Sequence, residues 1–285
     1  MIKLDMLRCF SAVATAGGLA GAADALGRTP AAISMQLKQL EAEVGGRLFE
    51  TDRKTNLTRL GAFVLGQAER EVVHFDRTIA TIRDYSTAGT GLVRIASTPS
   101  VAETFLPGVV AAYCRDHPHV QIEIGDMDSA SVIEVLANDQ ADIGFATGQD
   151  ARVTGPVMLT DPFGIVSRDD DKIASHAPAG WSDVAQRTVI ANGLFATLPD
   201  PAAQSIAAAA KLTVRNTTSL MAMVRAGLGI TILPRLTMTG GRPGLHFRPL
   251  SDQSAVRQIR CLRAANASPT PAVLAFQDMA IAMST

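Results

Sequence analysis

The chain is poor in the features that usually announce chemistry. Its 285 residues hold only three cysteines, Cys9, Cys114 and Cys261. They stand far apart without metal-ligand spacing, so each reads as a small, mostly buried apolar side chain. No nucleophile is accompanied by a base partner, no cluster of ligating side chains suggests a metal, and there is no glycine-rich phosphate loop. These absences argue against an enzyme, and no catalytic residue, metal ligand or cofactor is expected. Long apolar runs are missing too: none reaches the roughly 18 residues of a membrane span. No charged segment leads into an apolar run at the N-terminus, so a signal peptide is not expected and the cytoplasm is the expected location. Nor is there an excess of one charge. The formal net charge is −1, so nucleic-acid binding would have to come from a local basic surface rather than from bulk attraction.

What remains is apolar material with clear periodicity. Apolar residues make up 47% of the chain and charged residues 19%, ample for packed cores and unlike a disordered chain. The length suits a small domain joined to a larger one. Leu4, Leu7, Phe10, Val13 and Ala14 recur at helical spacing, and Gly17-Gly18 stops that helix. Leu19, Ala22, Ala23 and Leu26 predict a second short helix ended by Gly27. Thr29 is a good N-cap and Pro30 fits a first helical position, so a third helix opens there. Ile33, Leu37, Leu40 and Val44 form its apolar stripe, and Gly45-Gly46 ends it. Residues 47–50 and 56–58 predict two short strands around a polar tip, a hairpin or wing. Between residues 58 and 87 there is no strong breaker, and Leu60, Val64, Ala68, Val72, Phe75, Ile79 and Ile82 fall on one helical face. Such a stripe exceeds what a small domain covers, so the helix is expected to pair with a second copy of itself. The alternative is that it lies on the second domain of its own chain.

Residues 87–91 are small and predict a hinge. Beyond it, strands at 92–96, 120–124 and 143–146 alternate with helices at 101–115 and 131–137, which predicts a parallel α/β sheet. The alternation recurs past Pro162, with strands at 164–167, 188–191, 212–215 and 230–233, a helix at 219–226 and a closing amphipathic helix at 271–283. Two α/β lobes with the chain crossing between them suggest a cleft that closes on a ligand. The chain thus divides into an all-α winged helix-turn-helix at 1–60, a linker helix with hinge at 61–91, and two lobes, one of 92–161 with 265–285 and one of 162–264.

Two constellations carry candidate chemistry. The helix opening at Thr29 and Pro30 presents Ala31, Ser34, Met35 and Lys38 opposite its apolar stripe. In a helix-turn-helix this face enters the major groove. Lys38, Arg53 and Lys54 are placed to neutralise phosphates, which supply affinity and register rather than sequence preference. In the second region, Ser97, Thr98 and Ser100 follow the first strand and precede a helix, where hydroxyls and free N–H groups suit an anion. Thr217 and Thr218 repeat the arrangement in the second lobe, and Ser129 and Thr147 follow other strands. The alternative for each hydroxyl is a helix cap or turn. Asp169, Asp170 and Asp171 read as a solvated charge run, His117 and His119 as no metal site, and Trp181 as packing. Cys261, alone in its lobe, has no partner for a disulfide switch, which argues against a thiol-based peroxide sensor.

The run Ala22-Ala23-x-x-Leu26, then Thr29-Pro30-Ala31-Ala32-Ile33-Ser34-x-Gln36-Leu37-x-x-Leu40-Glu41, then Gly45 to Glu50 and Leu57-Thr58-x-x-Gly61, resembles in order and spacing the N-terminal signature of the LysR-type transcriptional regulator family. Phe105-Leu106-Pro107, His117-Pro118, Asp142-Ile143-Gly144 and Val224-x-x-Gly227-Leu228-Gly229-Ile230-x-x-Leu233-Pro234 are similar to later family segments, so the resemblance spans essentially the whole chain. It departs from the pattern at Gly18, Ala20, Pro30 and Met35, where the family often has Ser, a phosphate-contacting hydroxyl, Gln and Arg. The resemblance implies a winged helix-turn-helix followed by a two-lobed periplasmic-binding-protein-like (type 2) effector domain. It implies a transcriptional activator or repressor that binds double-stranded promoter DNA as a homodimer or homotetramer, acts with RNA polymerase, and responds to a small effector of the organic-acid kind. Two rivals remain at this point: a solute-binding module, which the two lobes alone would suit, and an enzyme on the same fold.

Replacing polar base readers by Ala31 and Met35 leaves apolar contact with thymine methyls, plus a hydrogen bond from Ser34, as the means of reading bases. A systematic base-substitution binding scan is expected to show a thymine preference within the half-sites. Equal tolerance of all bases there would remove the apolar reading role.

Overall fold

The computed structural model describes residues 1–51, 54–86, 91–173 and 177–284, and the side chains of all of these except 77, 80, 81 and 83–86. Residues 87–90 of the predicted hinge at 87–91, and Arg53, lie outside the described residues. The chain divides into two compact units, Met1–Thr87 and Ala88–Thr285.

The first unit holds helices α1 (Leu4–Ala16), α2 (Leu19–Leu26), α3 (Pro30–Val44) and α4 (Arg59–Ser86). Of the positions read at helical spacing, Phe10 and Val13 of α1, Ala22 and Ala23 of α2, Ile33, Leu37 and Leu40 of α3, and Ala68 of α4 close one core, which Met6, not read from the spacing, joins. Large apolar side chains buried this way contribute about 1.5–3 kcal/mol each relative to exposure. Thr29 caps α3 by accepting from Ala32 N at 3.3 Å. Gly45 ends α3 at φ 81°, a conformation that penalises any Cβ.

Between α3 and α4 the two expected strands contract to a single antiparallel bridge, Phe49 with Leu57. Side chains do the rest of the work. The Glu41 carboxylate accepts from Leu48 N at 2.9 Å, and Thr58 Oγ1 accepts from Gly61 N at 2.9 Å. A Cβ on Gly61 would sit 2.0 Å from the Leu48 carbonyl oxygen, so glycine lets α4 start directly against the hairpin. The apolar stripe of α4 splits along its length. Val64, Leu65 and Ala68 pack into the unit's own core, whereas Phe63, Phe75 and Ile82 are 66%, 44% and 60% exposed.

The second unit contains β1 (Gly91–Ser97), α5 (Pro99–Thr104), α6 (Leu106–Asp116), β2 (Val120–Asp126), α7 (Ser129–Ala137), β3 (Ile143–Ala146), β4 (Val153–Thr154) and β5 (Val157–Arg168). It continues through α8 (Trp181–Ala185), β6 (Ile190–Ala191), α9 (Pro201–Ala209), β7 (Leu212–Thr213), α10 (Thr217–Arg225), β8 (Thr231–Pro234), β9 (Leu245–Pro249), β10 (Val256–Ala264) and α11 (Pro271–Ala282). In the first lobe β1 pairs in parallel with β2 and β3, and β10 runs antiparallel to β3, β4 and the first half of β5. In the second lobe the second half of β5 lies between β8 and β9, antiparallel to both. β6 pairs with β7 and is joined toward β8 by the Val189–Ile230 bridge.

Several expectations change. The sheet is mixed rather than parallel, because the return strand β10 enters antiparallel. That strand pairs with first-lobe strands although the sequence division counts it with the second lobe. β5 runs through Pro162 instead of starting after it; the proline stands where the strand changes partners and a missing N–H is tolerated. The single helix expected at 101–115 is two, α5 and α6, because Pro107 opens a new helix in its first turn. Of the aspartate run, Asp170 pairs with Arg168 and Asp171 with Arg187. Trp181 packs on the second-lobe core and its Nε1 donates to Asp252 at 3.1 Å. Among the described residues, no helix is long and apolar enough to cross a membrane, and no group of His, Cys, Asp and Glu is arranged to hold a metal ion.

The lobes meet at one buried ion pair. Asp161 of β5 and Arg257 of β10 face each other in register and are 5% and 8% exposed. Arg257 donates to Asp161 Oδ2 from Nε at 3.0 Å and from Nη2 at 2.7 Å, and Nη2 also donates to Ser100 Oγ at 2.7 Å. Asp161 Oδ1 accepts from Leu236 N, just after β8, at 2.9 Å. Burial pulls the guanidinium's affinity for its proton down, against the opposing pull of Asp161. An Arg242–Glu103 ion pair joins the lobes again farther out.

Two predictions follow from this packing. Asp161→Ala leaves a buried cation uncompensated, and urea unfolding is expected to show a loss of about 3–5 kcal/mol; replacing the pair together, Asp161→Leu with Arg257→Met, should cost less. For the thiols, Cys261 is wholly buried in the first-lobe core, not in the second lobe as expected, and burial pushes it up to about 12. Cys9 is also buried and shifted upward by desolvation, whereas Cys114 is exposed. At pH 8 a thiol reagent should therefore label Cys114 quickly in native protein and all three cysteines only after denaturation. Fast labelling of Cys261 would contradict the packing described.

Candidate functional site

The third helix has two distinct faces. Ile33, Leu37 and Leu40 are buried, while Ala31, Met35 and Lys38 follow one another at helical spacing on the open side with Ser34 half-buried beside them. Met35 is 64% exposed, unusual for a large apolar side chain with no core to fill. Thr29 and Pro30 are exposed at the start of the helix. Lys54 behaves differently from expectation. Its ammonium lies 3.7 Å from the Glu41 carboxylate and 5.5 Å from the centre of the Phe49 ring, with the side chain only 16% exposed. That lysine is engaged within the hairpin, so among the described residues Lys38 is the open one of the cations read for this face.

The second unit contains a cavity of about 480 Å³ between its lobes. Thr98, Ser100, Ser129 and Thr147 line it from the first lobe and Thr217 from the second, so five of the seven hydroxyls singled out in the sequence come together. Ser97 and Thr218 do not line it; Ser97 is buried and its Oγ donates to the Thr98 carbonyl at 3.1 Å. Ser129 and Thr147 largely satisfy each other, their hydroxyls 2.9 Å apart. Thr98 is the exception. It is 5% exposed, yet its Oγ1 has no hydrogen-bond partner. An unpaired buried hydroxyl is costly, and this one belongs to a residue of the cavity wall.

Helix starts supply more polar groups. α7 and α10 both open onto the cavity, capped by Asp128, which accepts from Ser131 N at 2.8 Å, and by Asn216, which accepts from Ser219 N at 3.0 Å. The Ser131 N–H holds the Asp128 carboxyl below its usual range. Arg257 lines the cavity from the junction of the lobes, and its bonds to Asp161 and Ser100 use Nε and Nη2, not Nη1. Arg215 and Asp126 add one more charge of each sign. Leu194, Leu220 and Leu233 provide apolar wall. Sequence reasoning missed all the charged members. The available signal for Arg257 was its place on the buried phase of an alternating strand, two residues before Ile259 and four before Cys261.

Comparison with known proteins fits both halves. Residues 4–62 match the family model for the bacterial regulatory helix-turn-helix protein, lysR family. Residues 86–284 match the LysR substrate binding domain. The octopine catabolism/uptake operon regulatory protein OccR of Rhizobium meliloti is 27% identical over 285 residues, covering 96% of this chain and 94% of its own length. The uncharacterized HTH-type transcriptional regulator YbhD of Escherichia coli (strain K12) is 25% identical over 246 residues, 83% of this chain and 77% of its own. Among solved structures, CbnR, a LysR family transcriptional regulator, superposes with a TM-score of 0.72 at 19% identity over 100% of both chains. Full-length CbnR complexed with its target DNA gives 0.73, also at 19% and 100% of both; at that identity these two structures speak for the fold alone. The matched proteins are transcriptional regulators rather than enzymes, and the two-lobed unit is joined to a DNA-binding one, which sets aside the enzyme and the solute-binding module. With both of its units matched to this one family, the chain belongs to the LysR family of DNA-binding transcriptional regulators.

Proposed function

We propose that this regulator is controlled by a small molecule carrying an anionic group, held between the lobes by Thr98, Ser100 and Arg257. The observation that carries the reading is the unpartnered Oγ1 of Thr98, in a residue 5% exposed on the wall of a cavity that Arg257 also lines. Thr98 can donate to a carboxylate, and Ser100 can turn its proton to the ligand while its oxygen still accepts from Arg257. The starts of α7 and α10 add favourable potential for negative charge. Thr217, Ser129 and Thr147 shape the rest of the mouth.

At the other end, Thr29, Pro30, Ala31, Ser34, Met35 and Lys38 face the DNA in this reading. Lys38 takes a phosphate, as does Arg53; Lys54 supports the wing from within. The exposed Phe63, Phe75 and Ile82 of α4 support pairing with a second copy, which presents two such faces to a two-fold site. A tetramer would be two such pairs. Ligand binding changes the relative arrangement of the copies, and with it DNA bending and RNA polymerase recruitment, only by as much as its affinity differs between the two states.

The test is fluorescence anisotropy of the full chain with the intergenic DNA beside its own gene, over a range of salt. Binding is expected to exceed that to scrambled DNA by about 10³-fold. Lys38→Ala should weaken binding to all sequences alike and lower the salt slope by about 1. Thr98→Val should leave unliganded DNA binding intact and abolish the response to carboxylate ligands. A carboxylate response that survives Thr98→Val would overturn the anion site.

A further inference from the structure

We propose that the cleft takes a zwitterion, a small molecule of the amino-acid type whose carboxylate meets Thr98, Ser100 and Arg257 and whose cationic nitrogen meets Asp126. This rests on the anion reading above and adds a second pole to it.

Asp126 ends β2 and pairs in register with Ser97 of β1, the residue before Thr98. Neighbouring strands lie about 4.8 Å apart, so the backbones of Asp126 and Thr98 leave the same end of one sheet, and both residues line the cavity. One small molecule can touch both. Asp126 is exposed on the cavity wall, and among the described residues its carboxylate enters no hydrogen bond or ion pair. Asp128 stands two residues on, and backbone N–H groups at the start of α7 keep it charged. The wall therefore has a negative end as well as a polar, donor-rich one.

The charges of the wall weigh against a simple anion. Asp126 and Asp128 face Arg215 and Arg257 across the cavity, but Arg257 already has Asp161 as its counter-ion. A ligand with only a carboxylate would meet the Asp126 carboxylate with no cation left over, since Arg215 already acts on Asp128. A ligand with only an amine would leave the buried Thr98 hydroxyl unpaired. A molecule with both groups satisfies both ends, and Met127, Leu194 and Leu233 offer its carbon body an apolar surface. A volume of about 480 Å³ admits an amino acid or a derivative several times larger than glycine.

The experiment is calorimetric titration of the full chain, preceded by a thermal-shift screen with the proteinogenic L-amino acids and with their carboxylate-only and amine-only analogues. At least one amino acid should raise Tm, and both of its single-charge analogues should bind at least tenfold more weakly. Asp126→Asn alters an exposed, unbonded side chain and should melt like the parent. It should weaken the amino acid at least tenfold and spare the carboxylate-only analogue, whereas Thr98→Val should weaken both. If carboxylate-only analogues bind the parent as tightly as the amino acid, or Asp126→Asn leaves amino-acid affinity unchanged, the zwitterion assignment falls and the anion site stands. If neither amino acids nor carboxylates bind, both fall.

Discussion

The ion pair between Asp161 and Arg257 is the constraint on which the effector unit depends. It lies where β5 and β10 carry the chain between lobes, and both lobes bond to it: Ser100 from the start of the first lobe's α5, and Leu236 N from the turn after β8 of the second. Buried pairs of this kind add little net stability, because the attraction is spent against desolvation. What they add here is geometry. Each partner is tolerable only where the other sits, so register slips between β5 and β10 are penalised at their most sensitive point. The same guanidinium fixes the position of Ser100, and thus one corner of the ligand cavity, relative to both crossing strands.

From that corner the rest of the cavity follows by topology. The parallel strands β1 and β3 deliver Thr98 and Thr147 at their C-terminal ends, and the helix following β2 brings Ser129. In the second lobe α10 brings Thr217 by the same logic. Open α/β sheets place their crevices beyond the carboxyl ends of strands, and joining two such sheets through a shared strand turns two crevices toward one space. Most of the polar groups then satisfy each other, as Ser129 and Thr147 do. Thr98 does not, which is why the proposed function puts chemical selectivity there.

Much of this was legible in the sequence, and the failures have physical causes. Helix existence, the caps at Thr29, Gly27 and Gly45, and the strands at 143–146 came through because amphipathic period and end signals are local. Five cavity hydroxyls came through because strand-end and helix-start positions are local as well. Arg257, Arg215 and Asp126 did not: the alternation around Arg257 was the one local signal, and Arg215, in the connection before α10, and Asp126, at the last position of β2, have none that separates a solvated charge from a cavity-lining one. β5 was broken at Pro162 because a strand was assumed to keep one set of neighbours, and this strand changes them at that residue. The inward place of Lys54 was hidden for a similar reason: Glu41, the group near its ammonium, comes from the preceding helix.

The engagement of Lys54 bears on how DNA affinity is reached at all. A chain with a net charge of −1 has no bulk attraction to a polyanion, and the reading face of α3 offers a single open cation, Lys38. Each phosphate contact contributes a limited, salt-dependent increment, so one such face gives weak binding with little preference. Joining two copies changes the arithmetic. The second face then binds at the high effective concentration set by the first, and the increments multiply. The exposed apolar residues of α4 are the means proposed here, and they need no ligand to serve. In the proposed reading, affinity for DNA is thus a property of the pair, and whatever alters the geometry of the pair alters it without touching a single DNA contact.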